Sequence, residues 1–382
     1  MPQVSHGAYA VIVNELICLD MPNGPALVDR IRRAWDDGDA VFPLDQRLPL
    51  PSRARTLTVI RPTRIATVHS ETAYDGDPVE AGDAVVVATS GTTGDPKGVV
   101  LTHDAVRASA YATSERLQVS HTDTWFACLP VSHVGGLSVI LRSLVLETPL
   151  ITAAQFSVEA YNNAARQGAT LVSLVSTALQ RVNPDLFRTI VLGGAKPPTD
   201  RPHNTVTTYG MTETGSGLVY DGVPLAGVEV KIVDSIIHLR APMLLRSYRD
   251  GTNPLSPDGW FRTGDIGTFQ DGVVTVEGRE GDLIITGGEN VWPDAVEEVL
   301  RRHVKIADVC VAGVPNDEWG HVVTAWIVLS KGSTITLNEV RDFVKESLPA
   351  HCAPHRVHFV QEIPRTNLGK PRRNELVLSE FQ

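Results

Sequence analysis

The stretch that most constrains this chain is a run of small and hydroxylated residues set directly after an apolar strand. Ala84–Ala88 reads AVVVA, a short continuous apolar run of the kind that forms a buried strand. TSGTTGDPKG follows from Thr89 to Gly98, with hydroxyls at Thr89, Ser90, Thr92 and Thr93, glycines at Gly91, Gly94 and Gly98, and a cation at Lys97. Small residues let backbone N–H groups come close to a polyphosphate, and the hydroxyls add further donors. A Walker A loop is excluded, because GxxxxGK[ST] would need Gly where Pro96 stands and Ser or Thr where Gly98 stands.

An anion held here must be held locally. The 382 residues carry 34 Lys plus Arg against 44 Asp plus Glu, a formal charge of −10 that argues against a general nucleic-acid binder. A hydrophobic fraction of 42% is ample for a large core, and the length suggests two or three domains. Cys18, Cys128, Cys310 and Cys352 form no CxxC pair, so neither a zinc ribbon nor a disulfide framework is indicated. Reduced thiols and the absence of a signal peptide or a full-length apolar span predict a cytoplasmic protein with no membrane insertion.

Along the chain, residues 1–82 read as an irregular lead-in with one helix, Pro25 to Asp36, whose Leu27, Ile31 and Trp35 recur every four residues. Prolines at 43, 49, 51 and 62 predict extended surface chain from Leu44 to Arg64. From Ala84 to Gly194 strands alternate with helices at Asp104–Leu117, Leu137–Leu146 and Val158–Arg166, the pattern of an α/β domain with mixed sheets and flanking helices. Short strands with Gly turns then predict a small β subdomain. The last hundred residues predict a small α+β domain with helices at Pro293–His303 and Leu337–Leu348. The expected division is 1–279 and 280–382, with a hinge at Gly281 and Asp282.

TSGTTGDPKG resembles the signature loop of the adenylate-forming superfamily, and further motifs of that family follow in order. They are LPVSHVGG (Leu129–Gly136), LGGA (Leu192–Ala195), TYGMTET (Thr208–Thr214), WFRTGDI (Trp260–Ile266), GREGDLIITGGENVWP (Gly278–Pro293) and PRTNLGKPRR (Pro364–Arg373). The resemblance implies ATP, Mg²⁺ and CoA as co-substrates or cofactor and a small carboxylic acid as substrate, and a homodimer is a possible assembly. It implies that Thr89 to Gly94 and Lys97 hold the phosphates of ATP. Gly193, Gly194, Ala195, Thr208, Tyr209, Gly210 and Met211 would line the nucleotide site, with Tyr209 flat against adenine. Thr212 would bond the α-phosphate, Glu213 would bind Mg²⁺, Asp265 the ribose hydroxyls, and Arg279 the ribose or α-phosphate. Lys370 would stabilise charge at the reacting carboxylate, and Gly287 and Gly288 would face CoA.

For the acid, the resemblance puts His133 beside the acyl pocket and gives Gly194, Ser216 and Gly217, with Gly193, as small wall residues. Arg142, alone in an apolar helix, needs an anionic partner. It either snorkels to solvent or pairs with Glu147, or it points into the pocket and holds a second carboxylate of the substrate that is not activated. LPVSHVGGLSVILRSL, the Tyr220–Val228 segment and the short lead-in resemble short actinobacterial-type o-succinylbenzoate–CoA ligases of menaquinone biosynthesis. Other acyl- or aryl-CoA ligases, and adenylating enzymes that serve a carrier protein, are the alternatives. The chain departs from the family at Gly281, where Lys or Asp is common, at His321 in place of Glu, and at Ala350–Pro354, which lacks a customary Lys.

Overall fold

The computed structural model describes residues 14–90, 96–194, 200–365 and 371–380. The chain begins with β1 (Leu16–Leu19), α1 (Pro25–Asp36), β2 (Ala40–Pro43), α2 (Leu50–Ile60), β3 (Arg64–Ala66), β4 (Glu71–Ala73), β5 (Asp83–Ser90) and β6 (Pro96–Thr102). It continues through α3 (His103–Arg116), β7 (Trp125–Ala127), α4 (Val134–Leu146), β8 (Leu150–Thr152), α5 (Val158–Arg166), β9 (Leu171–Leu174), α6 (Ser176–Leu179), β10 (Thr189–Leu192), β11 (Thr205–Gly210), β12 (Gly217–Tyr220) and β13 (Val223–Pro224). After these come β14 (Glu229–Val233), β15 (Ile236–Arg240), β16 (Ser247–Tyr248), β17 (Phe261–Gln270), β18 (Val273–Arg279), β19 (Ile284–Thr286), β20 (Glu289–Val291) and α7 (Pro293–Leu300). The chain closes with β21 (Ile306–Asn316), β22 (Gly320–Leu329), α8 (Leu337–Lys345), β23 (Arg356–Phe359) and α9 (Arg373–Ser379).

Two seven-stranded mixed sheets organise the first part, in the orders β16-β6-β5-β2-β1-β3-β4 and β13-β12-β11-β10-β9-β7-β8. Strand alternation sends Val85 and Val87 to one core and Val86 to another. The first of these cores draws Val99 and Leu101 from one sheet and Trp125, Leu171 and Tyr220 from the other, with α1, α3 and α4 contributing Ile31, Val106 and Ile140. The outer face of the second sheet is closed by α5 through Tyr161 and Ala164, packed with Phe126, Val172 and Ile190.

The lead-in is more ordered than the sequence reading allowed. It supplies four strands of the first sheet, and α2 replaces the extended chain expected between Leu44 and Arg64. The prolines permit this because of where they fall. Pro49 is the N-cap and Pro51 stands in the first turn, where a missing N–H breaks no helical bond. Arg61 then ends the helix in the left-handed conformation, directly before Pro62. Helix α1 has the expected bounds, with Leu27 and Ile31 buried.

By contacts the chain forms two units, Met1–Glu229 with Leu239–Phe261, and Val230–His238 with Arg262–Gln382. The expected joint, Arg279–Asp282, lies inside the second. That unit holds the four-stranded sheet β14-β15-β17-β18 and a five-stranded sheet in which β22 is flanked by β21 and β19 and pairs β23 in parallel. Val309 and Val311 face a core closed by α7 and α8, whereas Cys310 and Ala312 face α9. The large α/β and small α+β classes match the expectation.

An ionic hub fixes α9 in the second unit. Arg373 donates to Asp294 at 2.6 Å, to Glu297 at 2.8 Å and to the Val311 carbonyl at 2.9 Å, and lies 3.6 Å from Asp282. Glu297 is only 2% exposed and also accepts from the Val311 N–H and from Arg301. Removing one partner of a buried pair leaves the other charge uncompensated. Arg373→Met should therefore cost about 3 kcal/mol of stability in urea unfolding, at the low end for such a pair because Arg301 remains. Glu298→Ala, which breaks the exposed pair with Arg302, should cost less than about 0.5 kcal/mol. Equal losses from the two variants would refute this ranking.

Candidate active site

The glycine- and threonine-rich loop sits at the end of a hairpin. Strands β5 and β6 pair antiparallel, with Thr89 opposite Lys97 and Ser90 opposite Pro96. Gly91, Thr92, Thr93 and Gly94 lie outside the described residues, as do Ala195 and Lys370. The next partner comes from far along the sequence. Strand β16 lies on the open edge of β6 in antiparallel register, Tyr248 opposite Val99 and Ser247 opposite Val100.

That pairing brings Tyr248 between two residues that the sequence reading had singled out. Its ring lies 5.0 Å from Lys97 Nζ, within cation–π range, and its hydroxyl donates to Glu213 Oε1 at 3.0 Å. Burial and the neighbouring Glu213 carboxylate push the Tyr248 phenol well above its ordinary range, so it stays a donor at neutral pH. Glu213 is also tied through its backbone, its carbonyl accepting from Leu245 N–H at 2.8 Å. Asp250 follows in the same segment. Hydrogen bonds from Thr252, with the Lys97 charge adding, hold its carboxyl below the usual range. Neither Tyr248 nor Asp250 was predicted, because no local pattern marks a two-residue edge strand whose partner lies about 150 residues earlier.

The segment Thr208–Gly217 is shaped by close backbone packing. Thr208 Oγ1 donates to the Leu192 carbonyl at 3.1 Å. A Cβ at Gly193 would come within 2.9 Å of that oxygen, and one at Gly217 within 2.7 Å of Thr208 Cβ. These two glycines therefore let strands β10 and β12 close around Thr208, in addition to any room they leave for a ligand. Gly194 adopts a left-handed φ of +85°, and Gly210 approaches the Ser216 carbonyl too closely for any side chain. Tyr209, Thr212 and Glu213 are partly exposed at the end of this strand.

Arg142 and Ser216 meet, but in the interior. Arg142 is 3% exposed and Ser216 6%. The guanidinium donates to Ser138 and Ser216 and lies over the Trp125 ring, so it neither pairs with Glu147 nor faces open solvent. His133 precedes α4, with Nε2 3.0 Å from the Arg47 guanidinium and 3.7 Å from Asp45. Burial alone would raise the Asp45 carboxyl, but Arg47, aided by His133, holds it at about 2. Asp45 and Arg47 were not foreseen either.

In the second unit, Asp265 and Arg279 are cross-strand partners on β17 and β18, joined by an Arg279 Nε to Asp265 Oδ1 bond of 3.0 Å. Asp265 is largely buried, and its backbone N–H donates to Thr263 Oγ1. Gly281 and Asp282 form an exposed turn after β18. Gly287 and Gly288 are the two central residues of the β19–β20 hairpin, both with positive φ, as a mirror-image two-residue turn requires. A Cβ on Gly287 would also strike the Trp319 ring at 2.7 Å.

No group of three or more His, Cys, Asp or Glu suited to a metal occurs among the described residues. Glu213, a partly exposed carboxylate beside the β5–β6 hairpin, has the chemistry that Mg²⁺ takes, since that ion is commonly held by one or two carboxylates together with substrate phosphates.

The profile of the AMP-binding enzyme family matches residues 31–236, and that of the AMP-binding enzyme C-terminal domain matches residues 295–370. A probable 2-succinylbenzoate–CoA ligase of Mycobacterium tuberculosis is 36% identical over 335 residues, covering 79% of this chain and 86% of the relative. The o-succinylbenzoate CoA synthetase (MenE) of Bacillus subtilis in complex with the acyl-adenylate intermediate OSB-AMP superposes with a TM-score of 0.85 at 27% identity, covering 95% of this chain and 88% of that one. The same synthetase in complex with ATP and a magnesium ion gives a TM-score of 0.84 at 27% identity, over 95% and 89% of the two chains. With its ordered motifs, its fold and a profile match over more than half of its length, the chain belongs to the family of AMP-binding, adenylate-forming enzymes.

Proposed function

We infer that this chain is an ATP-dependent o-succinylbenzoate–CoA ligase. The observation that carries the chemistry is the convergence of Lys97, Tyr248 and Glu213 at the phosphate hairpin. The choice of acid is supported by the succinylbenzoate ligases among its relatives.

In the first half-reaction an oxygen of the succinyl carboxylate attacks the α-phosphorus of ATP. The bond to the bridging oxygen breaks, giving acyl-AMP and pyrophosphate. Lys97 offers positive charge to the leaving phosphates, and Tyr248 keeps both that cation and the Glu213 carboxylate in place. Magnesium, when bound, neutralises phosphate charge, and Glu213 is the residue that would hold it. In the second half-reaction the CoA thiol, losing its proton, attacks the acyl carbonyl and AMP departs. Lys370 acts in the adenylation step on this reading, and a swing of the C-terminal domain about Arg279–Asp282 separates the two steps. Free, buried cysteines and the use of ATP and CoA support a cytoplasmic setting.

Pyrophosphate release should require o-succinylbenzoate, and thioester should form when CoA is added. Turnover of benzoate or a medium-chain acid in preference would keep the ligase chemistry and discard this substrate. Acyl-AMP that never passes to CoA would indicate a carrier-protein acceptor. Tyr248→Phe should lower kcat/KM for MgATP about fivefold, the equivalent of one net hydrogen bond of about 1 kcal/mol. An unchanged value would remove Tyr248 from the nucleotide site. Lys370→Ala should retain ATP binding in calorimetry but lose adenylation about a hundredfold or more. Adenylation at the wild-type rate would remove Lys370 from this step.

A further inference from the structure

The segment that carries Tyr248 does more than pair with β6. From Leu245 to Arg249 it lies as a strap between the Glu213 turn and the β5–β6 hairpin. Leu245 N–H donates to the Glu213 carbonyl at 2.8 Å, Arg246 N–H to the Val100 carbonyl at 2.9 Å, and Arg249 N–H to the Gly98 carbonyl at 2.7 Å. Glu213 is thus held twice, at its carbonyl by Leu245 and at its carboxylate by Tyr248. The strap lies close to the hairpin, since a Cβ on Gly98 would come within 2.8 Å of Arg249 Cβ.

A ladder of two residues gives few bonds, so both ends of the strap need tying. At one end Arg249 donates to the carbonyls of Ile60 at 3.0 Å and Pro78 at 2.9 Å. At the other, Arg246 reaches past β6 to Asp83, the first residue of β5. Nε donates to Asp83 Oδ1 and Nη2 to Oδ2, both at 2.9 Å, and Nη1 donates to Glu80 Oε1 at 2.6 Å. The two carboxylates differ in weight. Glu80 stands in solvent, where an ion pair contributes little. Asp83 is 1% exposed and also accepts from the Glu80 N–H at 3.1 Å, so it is a fixed target. A fork of two parallel bonds to such a target sets direction as well as distance.

We propose that Arg246 is a positioning residue for nucleotide binding: tied to Asp83, it holds the Leu245 end of the strap on the Glu213 turn and so sets Glu213 and Tyr248 against Lys97. This rests on the reading of the β5–β6 hairpin as the nucleotide site and not on o-succinylbenzoate being the substrate. Without the fork the Leu245 end is released, while Arg249 keeps the far end in place. Lys97 and Glu213 must then be ordered by the nucleotide itself, and that cost is read as lost affinity.

The test is calorimetric titration of MgATP into the wild type, Arg246→Met, Tyr248→Phe and the double variant, each well below its own unfolding midpoint. Acid-dependent ATP–pyrophosphate exchange is measured on the same samples, with the acid the wild type uses best. Arg246→Met should weaken Kd for MgATP about ten- to thirtyfold, the equivalent of the two net hydrogen bonds on Glu213, and raise KM for MgATP alike. KM for the acid should stay within about twofold, because the strap acts on the nucleotide side alone. Adding Tyr248→Phe should cost less than about twofold more, since the released turn has already lost that bond. An Arg246→Met protein that unfolds earlier yet binds MgATP as the wild type does would overturn the proposal and leave Arg246 a stabilising residue only. Losses that multiply in the double variant, or equal rises in KM for both substrates, would overturn it too. If Arg246→Met fails to fold, Asp83→Asn decides: it keeps the shape of the carboxylate, leaves Arg246 on Glu80 and breaks the fork. That variant should weaken MgATP binding about fivefold or more, and unchanged affinity there would overturn the proposal. A wild-type chain that binds no MgATP would refute the nucleotide-site reading itself, which an unaffected Arg246→Met would leave standing.

Discussion

The register of one short edge strand governs the nucleotide site. Strand β16 is two residues long, yet its pairing with β6 places Tyr248 over Lys97 and within bonding distance of Glu213. A slip of one residue would turn Tyr248 to the other face of the sheet and separate the phosphate hairpin from the Glu213 turn. The register has its own anchors. Arg246 pairs with the buried Asp83 at the start of β5, and Arg249 donates to the carbonyls of Ile60, Arg61, Asp77 and Pro78. Tyr248 thus lies between two anchored arginines, Arg246 and Arg249.

Elements with strong local signals were legible in the sequence. The bounds of α1 and α5 match those read from the sequence pattern. The lead-in was misread for a physical reason. Its strands β1 to β4 are three or four residues long and are stabilised by neighbours distant in sequence, as where β2 pairs with β5. A proline count also says little about a helix unless the register of each proline within the first turn is known, which α2 illustrates.

The candidate site divides along the same line. Lys97, Thr208, Glu213, Asp265 and Arg279 stand in dense motifs, and it was the resemblance of those motifs to the adenylate-forming superfamily that implied their phosphate, metal and ribose roles. Tyr248, Asp45 and Arg47 owe their relevance to chain pairing and to the entrance of α4, and no nearby pattern marks them. Arg142 was conspicuous in sequence as a charge in an apolar helix, and the structure shows what the sequence could not: its guanidinium is held by Ser138 and Ser216 hydroxyls and the Trp125 face and does not pair with Glu147.

The topology of the phosphate loop sets how this protein must attract a nucleotide. In strand-to-helix phosphate loops, the positive end of a helix dipole draws the anion. Here the loop joins two antiparallel strands, and α3 begins only after β6 has run back across the sheet, at His103. Among the described residues of the hairpin, the exposed Lys97 is the cation available to a nucleotide on the proposed reading, within a chain of net charge −10. Mobile ions screen exposed point charges readily, over about 8 Å at physiological ionic strength. On the proposed function, nucleotide capture is therefore a salt-sensitive process, and ionic strength and free magnesium act directly on it.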